Sequence, residues 1–345
     1  MLVLMQIFSG WRLSMMRLLL LVLTFGSFNS LAASPAPDFS GFQQWLVETG
    51  KEAERRGISR RTIDLAFNGL EPDPRVITFD RRQPEFVQTF EEYLTARVTE
   101  NRISTARRYY EKEQKLLLDV AARYKVDAKF LLAFWGLESS FGRYQGKYSI
   151  IRSLATLGYD PRRSKFFTNE LFNALKILEE GHISPEKFLG GWAGAMGQNQ
   201  FIPSSFLNFA VDFDGDGKKN IWSNRADVWA SIGNYLNKNG WRKGAGWGAR
   251  VKLPADLEPE SLPRPEADKS CRALRHHTAK LPLEEWQNYG IRPSKPLSDA
   301  QSYALVIPDD GEKTSYLVGE NFRTILHYNC ANKYAVSIGL FADQI

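Results

Sequence analysis

A mainly α fold of the α+β class, with a small β-rich insertion before a final helix, is what the sequence predicts. Three observations carry it. Apolar residues recur at helical spacing over most of the chain as far as Trp247. Residues 249–320 then turn Pro-rich, with short alternating apolar runs. Helical spacing returns over 321–345.

The composition agrees with a globular chain. Of 345 residues, 43% are hydrophobic and 24% charged, which excludes a disordered chain, a collagen or a coiled coil. Two Cys are too few for a disulfide scaffold or a zinc cluster, and four His without an H-E-x-x-H pattern argue against a zinc hydrolase.

Residues 1–33 read as an export signal. Arg12 and Arg17 precede the apolar run Leu18–Phe25, and Ser30, Ala32 and Ala33 offer a small-residue cleavage site. The run is too short for a comfortable membrane span of roughly 20 residues. No Cys lies near the cleavage site, so a soluble periplasmic protein is expected rather than a lipoprotein. Removing 1–33 takes away two Arg and no acid, so the formal net charge of +6 falls to +4. Export and this small charge disfavour nucleic acid as a partner. In an oxidising compartment Cys271 and Cys330 are expected to pair; two buried thiols are the other reading, because sequence does not show their separation.

Residues 34–115 form an N-terminal helical region. Phe42, Trp45 and Leu46, then Ile63, Ala66 and Phe67, keep helical spacing up to about Leu70. Residues 71–84, with three Pro, read as an irregular connection, and helix resumes at Phe86 and again at Ile103. Residues 116–248 form the core. Its segment 127–141 is nearly all apolar, hence a buried helix, with Asp127 as N-cap and Val126 and Leu131 as a staple. Further helices are expected at about 164–180, 184–191, 203–209 and 225–239. Residues 249–320 make the β-rich module, with Tyr303–Ile307 and Ser315–Val318 as strands, and 321–345 return as helix.

Glu138 ends the apolar helix one turn from Phe134 and Trp135. Poor solvation favours its neutral form, which suits a general acid near neutral pH; a helix-terminal Glu paired locally is the plainer reading. The stretch Gly190–Ser205 packs small residues around Trp192, and its amides Gln198 and Gln200 suit sugar hydroxyls. It lacks the spacing of a phosphate loop.

Asp212-Phe-Asp-Gly-Asp-Gly-Lys fits the start of a calcium loop. Asp212, Asp214 and Asp216 take ligand positions 1, 3 and 5, and Lys218 offers its carbonyl. Ser223 stands where a bidentate Glu is expected, and Asp227 is the candidate substitute. One structural cation, Ca²⁺ or Na⁺, is expected there, and no organic cofactor.

These stretches together resemble the lytic murein transglycosylase B family. The resemblance rests on Glu138-Ser-Ser-Phe-Gly-Arg-Tyr-Gln-Gly-Lys147, Ser153–Leu157, Pro161–Phe167, Gly191–Gln198 through Ser205, Ala210–Gly217, Asn234-Tyr235 and Asn239-Gly-Trp241. Asn321-Phe322, Tyr328-Asn329 and Tyr334-Ala335 complete it. It implies a lysozyme-like helical core within the mainly α fold. It also implies Glu138 as the single catalytic acid/base. Arg162 and Arg163 would be a basic pair facing a glycan cleft, with Tyr93, Gln200, Tyr235, Tyr328, Asn329 and Tyr334 as substrate-binding positions. Gly191 departs from the Ser often found in the family. The implied reaction cleaves the β-1,4 bond between N-acetylmuramic acid and N-acetylglucosamine in peptidoglycan without water, leaving 1,6-anhydromuramyl ends. A hydrolytic muramidase on the same fold and a non-catalytic glycan-binding protein are the rivals. Peptidoglycan strands are the expected partner, with other cell-wall enzymes as further candidates, and a monomer is expected.

Overall fold

The computed structural model describes residues 37–82, 88–258, 261–265, 271–307 and 314–345; the export signal read at 1–33 lies outside them. The chain begins with α1 (Phe42–Arg55), α2 (Arg60–Phe67), α3 (Pro74–Arg82), α4 (Phe90–Arg97), α5 (Glu100–Lys112) and α6 (Gln114–Arg123). The central body follows as α7 (Ala128–Ser139), β1 (Tyr148–Ser149), α8 (Ile150–Tyr159), α9 (Ser164–Glu179), β2 (Leu189–Gly190), α10 (Pro203–Phe209) and α11 (Arg225–Lys238). Then come β3 (Gly248–Lys252), α12 (Leu283–Asn288), β4 (Arg292–Pro293), β5 (Ala304–Val306), β6 (Thr314–Val318), α13 (Glu320–Tyr328) and α14 (Asn332–Asp343). None of these helices is long and apolar enough to cross a membrane.

Local chemistry starts many of the helices. Ser59, Thr99 and Ser149 each accept from a backbone N–H in the first turn of α2, α5 and α8. Thr89 and Glu92 form a reciprocal capping box on α4. Pro203 opens α10, where its missing N–H costs nothing.

Three expectations need correction. The stretch 71–84 was expected to be irregular, yet it holds α3. Pro74 sits in its first turn, and Val76, Ile77 and Asp80 share a buried face. The helix expected at 184–191 is a short 3-10 turn, Pro185–Lys187, followed by β2, because Leu189 and Gly190 are drawn into a ladder with Ser149 and Tyr148. Asp127 stands at the N-cap of α7 without capping it. Its carboxylate instead accepts from Trp241 Nε1 at 3.0 Å and from the Gly244 N–H at 3.1 Å, tying the helix start to the segment after α11.

The larger sheet is antiparallel in the order β4-β3-β6-β5, with Arg250 opposite Tyr316 and Leu305 opposite Leu317. Its two faces follow the period of 2. Tyr316, Val318, Ala304 and Val306 face the main helical core. Val251, Leu305 and Leu317 face a second core with Leu283, Trp286, Ile291 and Tyr303. The β-rich segment is therefore attached along a whole sheet face. α13 and α14 then return to the central body, where Trp247 stacks near Phe322 and donates to Asp343. Cys271 and Cys330 form a disulfide with a Cα–Cα distance of 5.6 Å, joining the Pro-rich segment to the loop between α13 and α14.

Candidate active site

α7 is apolar nearly all round, and eight of its twelve residues are buried. Such a helix has no solvated face, so it runs through the core and delivers Glu138, at its last turn, to the edge of that core. The chain leaves abruptly: Ser140, Phe141 and Gly142 all take positive φ, at 49°, 62° and 82°. For Ser and Phe this costs roughly 1–2 kcal/mol each and persists only where surroundings enforce it. Here Phe141 packs against Tyr109, Trp135 and Phe341. Arg102 Nη2 donates to Ser140 Oγ at 3.2 Å, and the Gly142 N–H donates to Ser139 Oγ at 3.0 Å.

Tyr334, 196 residues away on α14, donates its hydroxyl to Glu138 Oε1 at 2.5 Å. Burial pushes the Tyr334 phenol well above its ordinary range, and the nearby charge of Glu138 pushes the same way, so Tyr334 stays the donor.

The Gly190–Ser205 stretch folds back on itself through bridges from Met196 to Gly190 and to Phe201. Its two glutamines have different fates. Gln198 is buried; its Oε1 accepts from Trp135 Nε1 at 2.6 Å and its Nε2 donates to the Trp222 carbonyl at 2.8 Å. It therefore ties α7 to the segment that follows the acidic loop. Gln200 is half-buried, with φ of 51°, and its Nε2 donates to the Gly197 carbonyl at 2.9 Å. Gly191 lies beside it: a Cβ there would sit 3.6 Å from Ala195 Cβ and 3.8 Å from Gln200 Oε1, ordinary contacts that leave room for a Ser.

The other expected cleft residues divide likewise. Tyr235 and Tyr328 stack in one aromatic cluster with Phe134, Phe201 and Phe209. Their hydroxyls are spent on main chain, Tyr235 on the His327 carbonyl at 2.8 Å and Tyr328 on the Asn199 carbonyl at 2.6 Å. Burial raises both phenols, Tyr235 to about 12. They act as props for the site. Arg162 and Arg163 converge on Asp80 of α3, at 2.7 and 3.2 Å. Asp80 is 3% exposed, whereas the two arginines are exposed, so one buried carboxylate holds two cations and leaves one positive charge over for solvent. Tyr93 lies beneath Arg97 and, like exposed Asn329, lines a cavity of about 530 Å³ next to the start of α14.

In the acidic loop, oxygens of Asp212, Asp214 and Asp227 lie within 4.8 Å of one another. Asp227 is fully buried, and burial raises its pKa although it accepts from the Phe213 and Asn220 N–H groups. Three oxygen-bearing acids around one point, one of them out of water, fit a hard cation. Asp216 stands outside this trio, and its Oδ1 accepts from the Lys218 N–H at 2.8 Å.

The model of the transglycosylase SLT domain matches residues 41–343. The chain belongs to that family. Membrane-bound lytic murein transglycosylase B of Escherichia coli (strain K12) is 33% identical over 217 residues, which are 62% of this chain and 56% of that relative. The match thus spans little more than half the length of the curated relative. SltB3 from Pseudomonas aeruginosa, solved in complex with NAG-anhNAM-pentapeptide, is 39% identical with a TM-score of 0.79, over 88% of this chain and 78% of that one. The Escherichia coli lytic transglycosylase SLT35, solved in complex with calcium, is 26% identical with a TM-score of 0.72, over 90% and 94% of the two chains. The SLT fold of these lytic transglycosylases is lysozyme-like, and this chain shares it.

Within this SLT domain, two residues that sequence reasoning passed over hold the site in shape. Asp80 had a readable signal, since it follows Val76 and Ile77 at helical spacing and so belongs to their buried face. Arg102 had none. It is identified only by its reach across 38 residues to the strained turn after Glu138, and by burial, which lowers its pKa.

Proposed function

We propose that the chain is an exported lytic transglycosylase that cleaves the β-1,4 bond between N-acetylmuramic acid and N-acetylglucosamine in peptidoglycan. The observation that carries this reading is the Glu138–Tyr334 pair at the end of the buried helix of an SLT domain. Glu138, protonated, gives its proton to the leaving glycosidic oxygen as the C1–O4 bond breaks through an oxocarbenium-like transition state. As carboxylate it then takes the proton of the muramyl 6-hydroxyl while O6 bonds to C1. The carboxyl ends as it began, one C–O bond is exchanged for another, and no water enters. Tyr334 holds Oε1, so the rotation of the carboxyl is restrained through both proton transfers.

Mass spectrometry of products from purified sacculi tests this. Anhydromuramyl ends support it; reducing ends would mean a hydrolase, and binding without soluble product a glycan-binding protein. Tyr334→Phe is expected to slow turnover by about tenfold or more and to cost about 1–3 kcal/mol of stability, as loss of a hydrogen-bond partner to a carboxyl does. Unchanged kinetics in that variant would remove Tyr334 from the mechanism.

A structural cation is proposed between Asp212, Asp214 and Asp227, with the Lys218 carbonyl as a further ligand. It would stiffen the loop just before the segment to which Gln198 ties the catalytic helix. Millimolar Ca²⁺ should raise Tm by several degrees if it exceeds its Kd about a hundredfold, by mass action on the folded state. Asp214→Ala should abolish the response, and EGTA should reverse it in the unaltered chain. An equal Tm with and without Ca²⁺ or Na⁺ would reject the site.

A further inference from the structure

The most exposed of the large aliphatic side chains among the described residues are Leu65 at 58% and Val47 at 54%, and they stand on the two helices that wall one groove. The groove has a volume of about 680 Å³ and lies between α1 and α2. None of the residues that line it has a part in the catalytic, glycan-binding or cation-binding roles assigned above.

Sequence spacing places these side chains there. Gln43, Val47, Gly50 and Lys51 fall on one stripe of α1, at i, i+4, i+7 and i+8, and Arg61, Asp64 and Leu65 on one stripe of α2, at i, i+3 and i+4. α1 already buries Phe42, Leu46 and Ala53, and α2 buries Ile63 and Ala66. Val47 and Leu65 thus form a second apolar edge, left over after the two helices have packed. The walls are fixed. Gln43 Nε2 donates to the Leu70 carbonyl at 3.1 Å, which sets the start of α1 beside the end of α2. Ser59, at the head of α2, donates its hydroxyl to Glu179 of α9 at 2.8 Å. A Cβ on Gly50 would sit 3.4 Å from Ile63 Cγ2, so the helices approach closely at the floor.

Charge is unevenly placed along the groove. Lys51, Arg60 and Arg61 gather where the end of α1 meets the start of α2, and Asp64 is the one acid among the described lining residues. Lys51 pairs with Glu48 at 2.8 Å and Arg60 with Asp64 at 2.9 Å. The Arg61 guanidinium has no ion-pair or hydrogen-bond partner among the described residues, and it is exposed. A bilayer needs apolar groups that protrude, whereas these line a concavity, and an aliphatic groove between two helices fits the apolar stripe of a third. From Gln43 to Lys51 α1 advances about 12 Å, or about two helical turns. The cations at one end match carboxylates and the negative pole of a helix C-terminus. We propose that the α1–α2 groove docks a partner protein through an amphipathic helix of about two turns, with its aliphatic stripe between Val47 and Leu65 and its acidic C-terminal end at Arg61.

Fluorescence anisotropy with two labelled helical peptides tests it. Both carry Leu at i, i+3, i+4 and i+7; one has Glu and the other Lys on either side of the last Leu. The Glu peptide is expected to bind about fivefold tighter or more, with a preference that shrinks as salt rises. Val47→Ser and Leu65→Ser together should weaken the Glu peptide by about tenfold or more. Arg61→Glu leaves both apolar walls in place and should reverse the preference, which keeps the test decisive if the double variant does not fold. Digestion of sacculi should be unchanged in every folded variant. Equal binding of the two peptides, or equal binding of the Glu peptide before and after the double substitution, overturns the proposal and leaves the glycan reading untouched. A dimer in sedimentation that Leu65→Ser abolishes overturns it in favour of a second copy of the chain. Binding to phosphatidylglycerol vesicles that Leu65→Ser abolishes overturns it in favour of a lipid surface. Lost digestion in a folded double variant overturns it as well, because the groove would then serve the enzyme's own site.

Discussion

Glu138→Gln should yield a folded protein that releases no soluble fragments from sacculi, with turnover lower by about 10³-fold or more. General acid and general base each contribute roughly 10²–10⁴-fold, and this one carboxyl is assigned both steps. Gln keeps the shape and still accepts from the Tyr334 hydroxyl, so the hydrogen bond that ties α7 to α14 survives. Thermal unfolding should consequently move by no more than about 2 °C, since the substituted side chain is only half-buried. The two measurements belong together. Lost activity with an unchanged Tm assigns the chemistry to the carboxyl; retained activity shows that another group supplies the proton.

Gly146→Ala should have the largest effect on stability, a loss of about 2–5 kcal/mol. Gly146 has φ of 92°, and a Cβ there would sit 2.1 Å from both the carbonyl carbon and the oxygen of Gly190. The clash is with backbone, and that backbone cannot retreat. Gly190 pairs with Tyr148 in the β1–β2 ladder, and the Gly191 N–H donates to the Ala195 carbonyl at 2.7 Å. Left-handed strain of roughly 1–2 kcal/mol adds to an overpacking cost of about 1–3 kcal/mol. Gly181→Ala is the control, because Gly181 also has positive φ, at 72°, with nothing within 4 Å of the added atom. It should cost only the strain. Equal losses in the two variants, measured by denaturant unfolding, would show that the close approach to Gly190 is not what makes Gly146 necessary. The site should suffer with the fold in Gly146→Ala, since Gln200 Nε2 also reaches the Gln145 carbonyl at 3.3 Å.

The sequence made some parts of this architecture readable and hid others, for identifiable reasons. The buried helix that carries Glu138 was legible because a helix apolar on every face can only be internal. The β5 and β6 runs were legible because each is a short apolar run with β-branched or aromatic residues, ended by Pro308 or Gly319. The α3 segment was missed because prolines at 72, 74 and 84 outweighed two buried apolar residues in a short stretch. The 184–191 segment was misread because its strand is only two residues long and exists through pairing with Tyr148–Ser149. Asp127 was placed correctly and given the wrong partner, since a carboxylate at an N-cap can serve its own helix or a distant indole with equal local propensity.

By itself the sequence determined the helical body, the late β segment and the residue types on which the chemistry draws. These follow from periodicity and from motifs contained within a few turns of chain. Tertiary structure decided which of those residues have capacity left to use. Gln198, Tyr235 and Tyr328 spend their polar groups on other parts of the same chain, and Arg162 and Arg163 share the carboxylate of Asp80. It also brought Tyr334 to Glu138 and set Val47 and Leu65 on the walls of one groove. Hydrogen bonds and ion pairs between residues tens to hundreds of positions apart leave no local pattern. They depend on which buried faces meet, and that is settled only when the whole core packs.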